Sequence, residues 1–222
     1  MGGRKSPHRL SVYIPNYIWY NCSNIFMSPQ TFIFIGRSGC GKGTQSELLQ
    51  KLLKEKDPEG EILYLETGEK FREFIKGDKY SNKLANENSK NGKRQPDFLA
   101  VHIWSHLLLE NFKGTEHAFF DGITRSLPEA MMFTTAMDFY DRHVTVIYIN
   151  VSRKWSEERL LARGRLDDKT KEDIDKRLDW FDKDSYPAVE YFNVHHRYTL
   201  LDINGEQTVP EVHNEIVKKL GW

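Results

Sequence analysis

Thr31-Phe32-Ile33-Phe34-Ile35-Gly36-Arg37-Ser38-Gly39-Cys40-Gly41-Lys42-Gly43-Thr44-Gln45 is the stretch that decides the fold. Its first five residues form a short apolar run, the pattern of a strand buried on both faces of a parallel sheet. From Thr44 to Glu55, Leu48, Leu49, Leu52 and Leu53 recur on one helical face. A glycine-rich turn between such a strand and such a helix can aim backbone N–H groups at a phosphate without Cβ clashes, beside the positive end of the helix. Lys42 adds a full charge for the β and γ phosphates, and Thr44 adds a hydroxyl for Mg²⁺. Cys40 lies inside this turn, either as a small filler or as a thiol with a lowered pKa near the helix start.

Outward from that turn the chain alternates strands and helices. Ile62–Leu65 reads as strand and Gly68–Lys76 as helix, with Phe71, Phe74 and Ile75 inward. Residues 80–93 read as a polar helical insertion, and Pro96 opens a long helix. That helix carries Leu99, Val101, Ile103, Trp104, Leu107 and Leu108 nearly all round, which predicts deep burial. Ala118–Asp121, Val144–Val151 and Tyr198–Ile203 read as strands. Helices are predicted over 127–142, 154–163 and 172–192, the last kinked by Pro187. A final helix begins at the capping box Thr208–Glu211. Five strands interleaved with helices imply a parallel sheet covered on both sides.

Lys+Arg and Asp+Glu are equal at 32 each, so the formal net charge is zero, which argues against a protein that holds DNA or RNA by a general electrostatic field. Two cysteines make neither a disulfide framework nor a zinc site, which fits a reducing compartment. No stretch reaches the run of about 18 apolar residues that a membrane span needs. Arg4, Lys5 and Arg9 ahead of 10–20 faintly suggest a signal peptide, but Pro15, Asn16 and Asn21 interrupt it. Residues 1–28 are therefore expected to be a dispensable extension and 29–222 the folded domain. Trp104, Trp155 and Trp180 read as packing residues, and His195-His196 as a solvated pair.

In Lys42-Gly43-Thr44-Gln45 a glycine separates the lysine from the threonine, and this resembles the adenylate kinase family of nucleoside monophosphate kinases. Further blocks occur in that family's order. Glu66-Thr67-Gly68-Glu69, followed by Arg72, resembles the acceptor motif. Asp121-Gly122-Ile123-Thr124-Arg125 resembles the Asp-Gly-Phe-Pro-Arg motif. Arg159, Arg163, Arg165, Asp167, Asp168 and Arg177 resemble the lid and the helix behind it, while Asn204-Gly205-Glu206-Gln207 is similar to the loop beside the donor adenine.

The resemblance implies an α/β three-layer P-loop fold with a five-stranded parallel sheet, a helical acceptor insertion at 66–97 and a short lid loop at 163–169. It implies transfer of the γ-phosphate of ATP to a monophosphate, AMP first, with GMP or CMP as alternatives. ATP would be held by Gly39, Cys40, Gly41, Lys42, Gly43, Thr44, Arg159, Arg163 and Gln207. The acceptor would meet Thr67, Arg72, Gly122, Arg125, Glu129, Arg165 and Arg177, with Lys176 a rival to Arg177. Lys42, Arg125, Arg163, Arg165 and Arg177 would neutralise the transferring phosphoryl group, because the acceptor is already an anionic nucleophile that needs no strong base. Mg²⁺ would sit on Thr44 and, through water, on Asp121. A cytoplasmic monomer follows from the resemblance alone.

Two departures bear on the acceptor. Ile123-Thr124 replaces Phe-Pro, so a trans bond and a shifted Arg125 are expected. Glu129 stands where the family reads adenine with Gln. An ionised Glu only accepts hydrogen bonds and suits guanine better, yet Ser126-Leu127-Pro128-Glu129 is also a capping box. A nucleotide-binding module with little turnover is the reading from another class.

Overall fold

A computed structural model describes residues 27–163 and 170–222. The chain forms β1 (Thr31–Ile35), α1 (Lys42–Lys56), β2 (Ile62–Glu66), α2 (Thr67–Phe74), α3 (Tyr80–Lys90) and α4 (Asp97–Asn111). It continues through β3 (His117–Asp121), α5 (Leu127–Phe139), β4 (Val144–Asn150), α6 (Arg153–Arg163) and α7 (Lys171–Trp180). A π turn (Phe181–Ser185) leads into α8 (Tyr186–Val194), β5 (Tyr198–Asn204) and α9 (Val209–Leu220). The five strands are parallel in the order β2-β3-β1-β4-β5. Ligands of such open sheets collect at the carboxyl ends of strands, where the order reverses.

Alternation along β1 divides the core. Ile33 and Ile35 face the side covered by Trp104 and Leu108 of α4, Phe133 of α5 and Phe192 of α8. Phe32 and Phe34 face Leu49 and Leu53 of α1 and Ile216 of α9. Ala85, Leu99 and Ile103 make a smaller cluster with Phe71, Phe74 and Ile75, giving α2 and α3 an apolar footing against α4. The last helix starts as its sequence predicts, with the Glu211 carboxylate accepting from the Thr208 N–H at 2.9 Å.

Three expectations are corrected. α4 is not buried all round: Phe98 and Leu109 are 73% and 68% exposed, while Leu99, Ile103, Trp104 and Leu108 are buried and Val101 and Leu107 are partly buried against the core. The helix expected over 127–142 ends at Phe139, and Asp141 takes a left-handed φ of 48°. The helix expected over 172–192 is two helices joined by the π turn. Pro187 explains the break, because its ring would strike the Lys183 carbonyl four residues earlier in a regular helix and it has no N–H to donate. The widened turn is closed instead by the Tyr186 N–H on the Phe181 carbonyl.

The amino end of the sheet holds charges that no motif announced. Arg142 is buried and donates to Thr31 Oγ1 (2.9 Å) and to the carbonyls of Gln30 (3.0 Å), Glu116 (3.0 Å) and Gly114 (3.3 Å). The Glu116 carboxylate accepts the N–H groups of Lys113 (2.7 Å) and Thr115 (2.9 Å). His117 Nδ1 accepts the Gln30 N–H at 2.9 Å, which leaves its Nε2–H to donate to Asp57 Oδ2 at 3.0 Å.

Candidate active site

The phosphate loop hangs from the carboxyl end of β1. Gly39 and Gly41 take φ of 83° and 99°, a region that costs glycine nothing. Gly36 is needed for a different reason: a Cβ there would meet the Ile149 carbonyl oxygen at 2.5 Å. The Lys42 ammonium folds back over the loop and donates to the Gly36 and Arg37 carbonyls at 2.8 and 3.1 Å. Cys40 is buried in the core beneath the loop, and that burial pushes its thiol pKa up, against the neighbouring Lys42 charge. The filler reading of Cys40 fits this; the lowered thiol does not. Thr44 lies exposed in the first turn of α1.

The ends of β2 and β3 come alongside. A Cβ on Gly43 would lie 3.7 Å from Asp121 Oδ2, so Asp121 faces the start of α1. The Tyr64 hydroxyl donates to the same Asp121 oxygen at 3.4 Å, and burial followed by nearby acidic charge drives the Tyr64 pKa far above its ordinary value. Gly122 adopts φ 77°, and its carbonyl accepts from both Thr67 Oγ1 (2.7 Å) and Arg125 Nε (2.8 Å). A side chain at Gly122 would press on Arg125 Nη2 at 3.0 Å and on Thr67 Oγ1 at 3.2 Å. Arg125 is exposed at the surface, yet the protein packed around its guanidinium lowers its pKa and the Arg177 charge lowers it further, so these two cations lie within electrostatic reach of one another. Lys176 instead pairs with Glu172 at 2.8 Å along its own helix.

The Ile123–Thr124 bond is trans, and Thr124 takes φ 54°, with its hydroxyl buried and without a partner among the described residues. Glu129 is 2% exposed, and its Oε2 accepts the Arg125 N–H at 2.6 Å, while the Ser126 hydroxyl accepts the Glu129 N–H at 3.3 Å. Burial raises the Glu129 pKa; the hydrogen bond from the Arg125 N–H pulls the other way. The carboxylate thus serves the start of α5, one residue further back than an ordinary capping box.

Other predicted residues lie further out. Arg72 is outside the Thr67–Gly122–Arg125 cluster and pairs with Glu66 at 3.5 Å. Arg159 sits over the Trp155 ring at 4.3 Å, and its Cβ would be 3.6 Å from a Cβ built on Gly39, so it borders the phosphate loop. Gln207 donates to the Asn204 carbonyl (2.9 Å) and to Glu215 (2.7 Å). Gly205 packs so tightly that a Cβ would lie 2.6 Å from both Ile149 and Val151, which fixes the 204–207 loop against β4. Arg165, Asp167 and Asp168 fall outside the described residues, as does the Arg163 side chain and all of the lid expected at 163–169 beyond Arg163 itself. The extension expected at 1–28 likewise falls outside them, apart from Met27 and Ser28.

Sequence reading missed Tyr64 and Arg37. Tyr64 read only as a strand residue. Arg37 carries no role in the sequence reading, yet its guanidinium donates to the Val151 carbonyl at 2.7 Å and to Asp182.

The residues suit magnesium. Asp121 and Thr44 supply hard oxygens at the first turn of α1 and the adjoining strand end, where a hydrated ion could use one carboxylate and one hydroxyl. No group of three or more His, Cys, Asp or Glu able to hold a metal directly occurs among the described residues. No helix there is long and apolar enough to cross a membrane.

The model of the family described as Adenylate kinase matches residues 34–197. An adenylate kinase of Azobacteroides pseudotrichonymphae is 31% identical over 191 residues, spanning 83% of this chain and 94% of that protein. Adenylate kinase 1 of Nostoc sp. is 30% identical over 190 residues, spanning 85% and 97%. An adenylate kinase of Prochlorococcus marinus is 29% identical over 190 residues, again spanning 85% and 97%. A glycine turn with its lysine, an aspartate and an arginine on neighbouring strand ends, and matches of this extent lead to one statement: the chain belongs to the adenylate kinase family.

Proposed function

We propose that this ATP-dependent nucleoside monophosphate kinase catalyses ATP + AMP = 2 ADP at the carboxyl edge of its sheet. The observation that carries this is the placement of Lys42 over the glycine turn, with Asp121 and the Thr67–Gly122–Arg125 cluster at the adjoining strand ends. In this reading the loop N–H groups of 39–44 hold the triphosphate, and Lys42 exchanges its two carbonyls for β and γ oxygens. Arg159 and Gln207 flank the donor. Thr67 and Gly122 border the acceptor, while Arg125, Arg177 and the outlying Arg72 bind its phosphate. An oxygen of that phosphate attacks the γ-phosphorus in line as the bond to the ADP oxygen breaks. Lys42, Arg125 and Arg177, joined by Arg163 and Arg165, offset the charge of the moving group. Mg²⁺ on Thr44 and, through water, Asp121 would neutralise the β and γ oxygens.

AMP is favoured as acceptor because Glu129 is 2% exposed and its Oε2 accepts the Arg125 N–H at the start of α5, an engagement that competes with reading guanine. Residues 66–97 act as the acceptor insertion, 163–169 as a lid that excludes water, and 1–28 as an extension without a part in turnover. The working form is a cytoplasmic monomer.

The deciding experiment follows diphosphate formation from ATP·Mg²⁺ with AMP, GMP, CMP and UMP in turn. Turnover greatest with AMP is expected. Faster turnover with GMP would return base reading to Glu129, and none with any acceptor would leave a nucleotide-binding module.

A further inference from the structure

Four side chains of the π turn reach other elements of the molecule, two of them meeting at Arg37. The Phe181 ring lies beneath the Arg37 guanidinium, 4.8 Å from its carbon. Asp182 accepts Arg37 on one carboxylate oxygen and Arg153, at the start of α6, on the other at 3.4 Å. Asp184 pairs with Arg94 at 3.5 Å, and Arg94 also holds Asp97 at the first residue of α4 at 2.8 Å. The Ser185 hydroxyl donates to the Arg125 carbonyl at 2.9 Å.

Arg37 shows why this matters for the phosphate loop. Its carbonyl faces inward and accepts Lys42, while its side chain runs out of the back of the loop to Val151, Phe181 and Asp182. Ser185, three residues beyond Asp182, holds the backbone of the acceptor-side arginine. Donor loop and acceptor-side arginine are thus both tied to one turn of helix.

We propose that the π turn sets the spacing between the phosphate loop and Arg125, with Asp182 and Ser185 as positioning residues. This rests on the assignment of the loop to ATP and of Arg125 to the acceptor phosphate. The links suit positioning better than stabilisation. The Asp182 side chain is 40% exposed, and ion pairs so exposed contribute about 0–1 kcal/mol to folding. A misplacement of about 1 Å between reacting groups can cost about a hundredfold in rate.

The test uses the full chain, with ATP and AMP varied separately, for Asp182→Asn, Asp182→Glu, Ser185→Ala and Ser185→Thr. Asp182→Asn should lower kcat about tenfold and raise KM for AMP as well as ATP, although Asp182 meets the phosphate loop at Arg37 and α6 at Arg153. Ser185→Ala should raise KM for ATP as well as AMP. Asp182→Glu and Ser185→Thr should recover most of each loss, and melting temperatures should move by no more than about 4 °C. Effects confined to the substrate nearest each contact, or lowered melting temperature with unchanged kcat and KM, would overturn the proposal. If the unmodified chain makes no ADP from ATP and AMP, the underlying assignment has failed. Calorimetric affinities for the two nucleotides then decide, and cross effects absent there also overturn the role of the turn.

Discussion

The two ends of the sheet use charge in opposite ways. At the amino end, Arg142 meets four acceptors, Glu116 two N–H groups, and His117 and Asp57 each other. These polar groups are buried and matched, as the cost of an unmade buried hydrogen bond demands. At the carboxyl end, Lys42 rests on two carbonyls of its own loop, Arg72 leans on Glu66 at 3.5 Å, and Asp121 receives a long bond from Tyr64. Those contacts are exchangeable for ligand oxygens. Buried charge that is fully matched holds a fold together, whereas charge on exchangeable partners is available for chemistry.

The sharpest way to break that contrast is Lys42→Met. Turnover should fall about a thousandfold, as for loss of a principal charge-stabilising donor, with the melting temperature almost unmoved. Wild-type rates would show that the carboxyl end is as structural as the other. Arg142→Met inverts the expectation. It removes the donor from four acceptors, two of them on the buried residues Thr31 and Glu116, and should cost about 3 kcal/mol, lowering the melting temperature by roughly 6–12 °C in a chain of this size. Its kcat and both KM values at 20 °C should stay near wild type.

A smaller effect is expected at Glu66→Ser, which frees Arg72. KM for AMP should drop by up to about fivefold, matching the 0–1 kcal/mol of an exposed pair. An unchanged KM would remove Arg72 from the acceptor site. Smallest of all is Glu129→Gln. The folded pKa of Glu129 is raised by burial, so its contribution is fully present below the unfolded carboxyl pKa and is lost as pH rises through the folded one. The Gln variant lacks this loss, and its melting temperature should gain on wild type as pH increases from 4 to 8. The AMP-to-GMP ratio should hold within about twofold, and a shift of tenfold or more would mean that Glu129 reads the base.

Much of this was legible because it is local. The run from Thr31 to Ile35 and the leucine spacing after Thr44 fix β1, α1 and the turn between them within a few residues. The capping box at Thr208 fixes α9 in the same way. What stayed hidden depends on distant pairing. Arg142 and Thr31 are 111 residues apart, and His117 and Asp57 are 60 apart, so no period or spacing connects them. Pro187 announced a break in the helix but not its form, since the π turn also depends on what Asp182 and Ser185 find across the fold. At the candidate site the glycines and Lys42 could be read directly. The engagement of Glu129 with the Arg125 backbone could not, because a capping box and a base reader place the same residue type at the same position.

The middle strand has a further consequence. All five residues of β1 are buried, and it is bonded on both edges, to β3 and β4. Its amides should therefore exchange with deuterium only when the whole molecule opens, while those of α2 and α3, resting on a small cluster of their own, exchange through local opening. The donor loop is anchored to the slowest-exchanging part of the chain and the acceptor insertion to a faster one. Gentle heating should then erode the grip on the monophosphate well before the grip on the triphosphate.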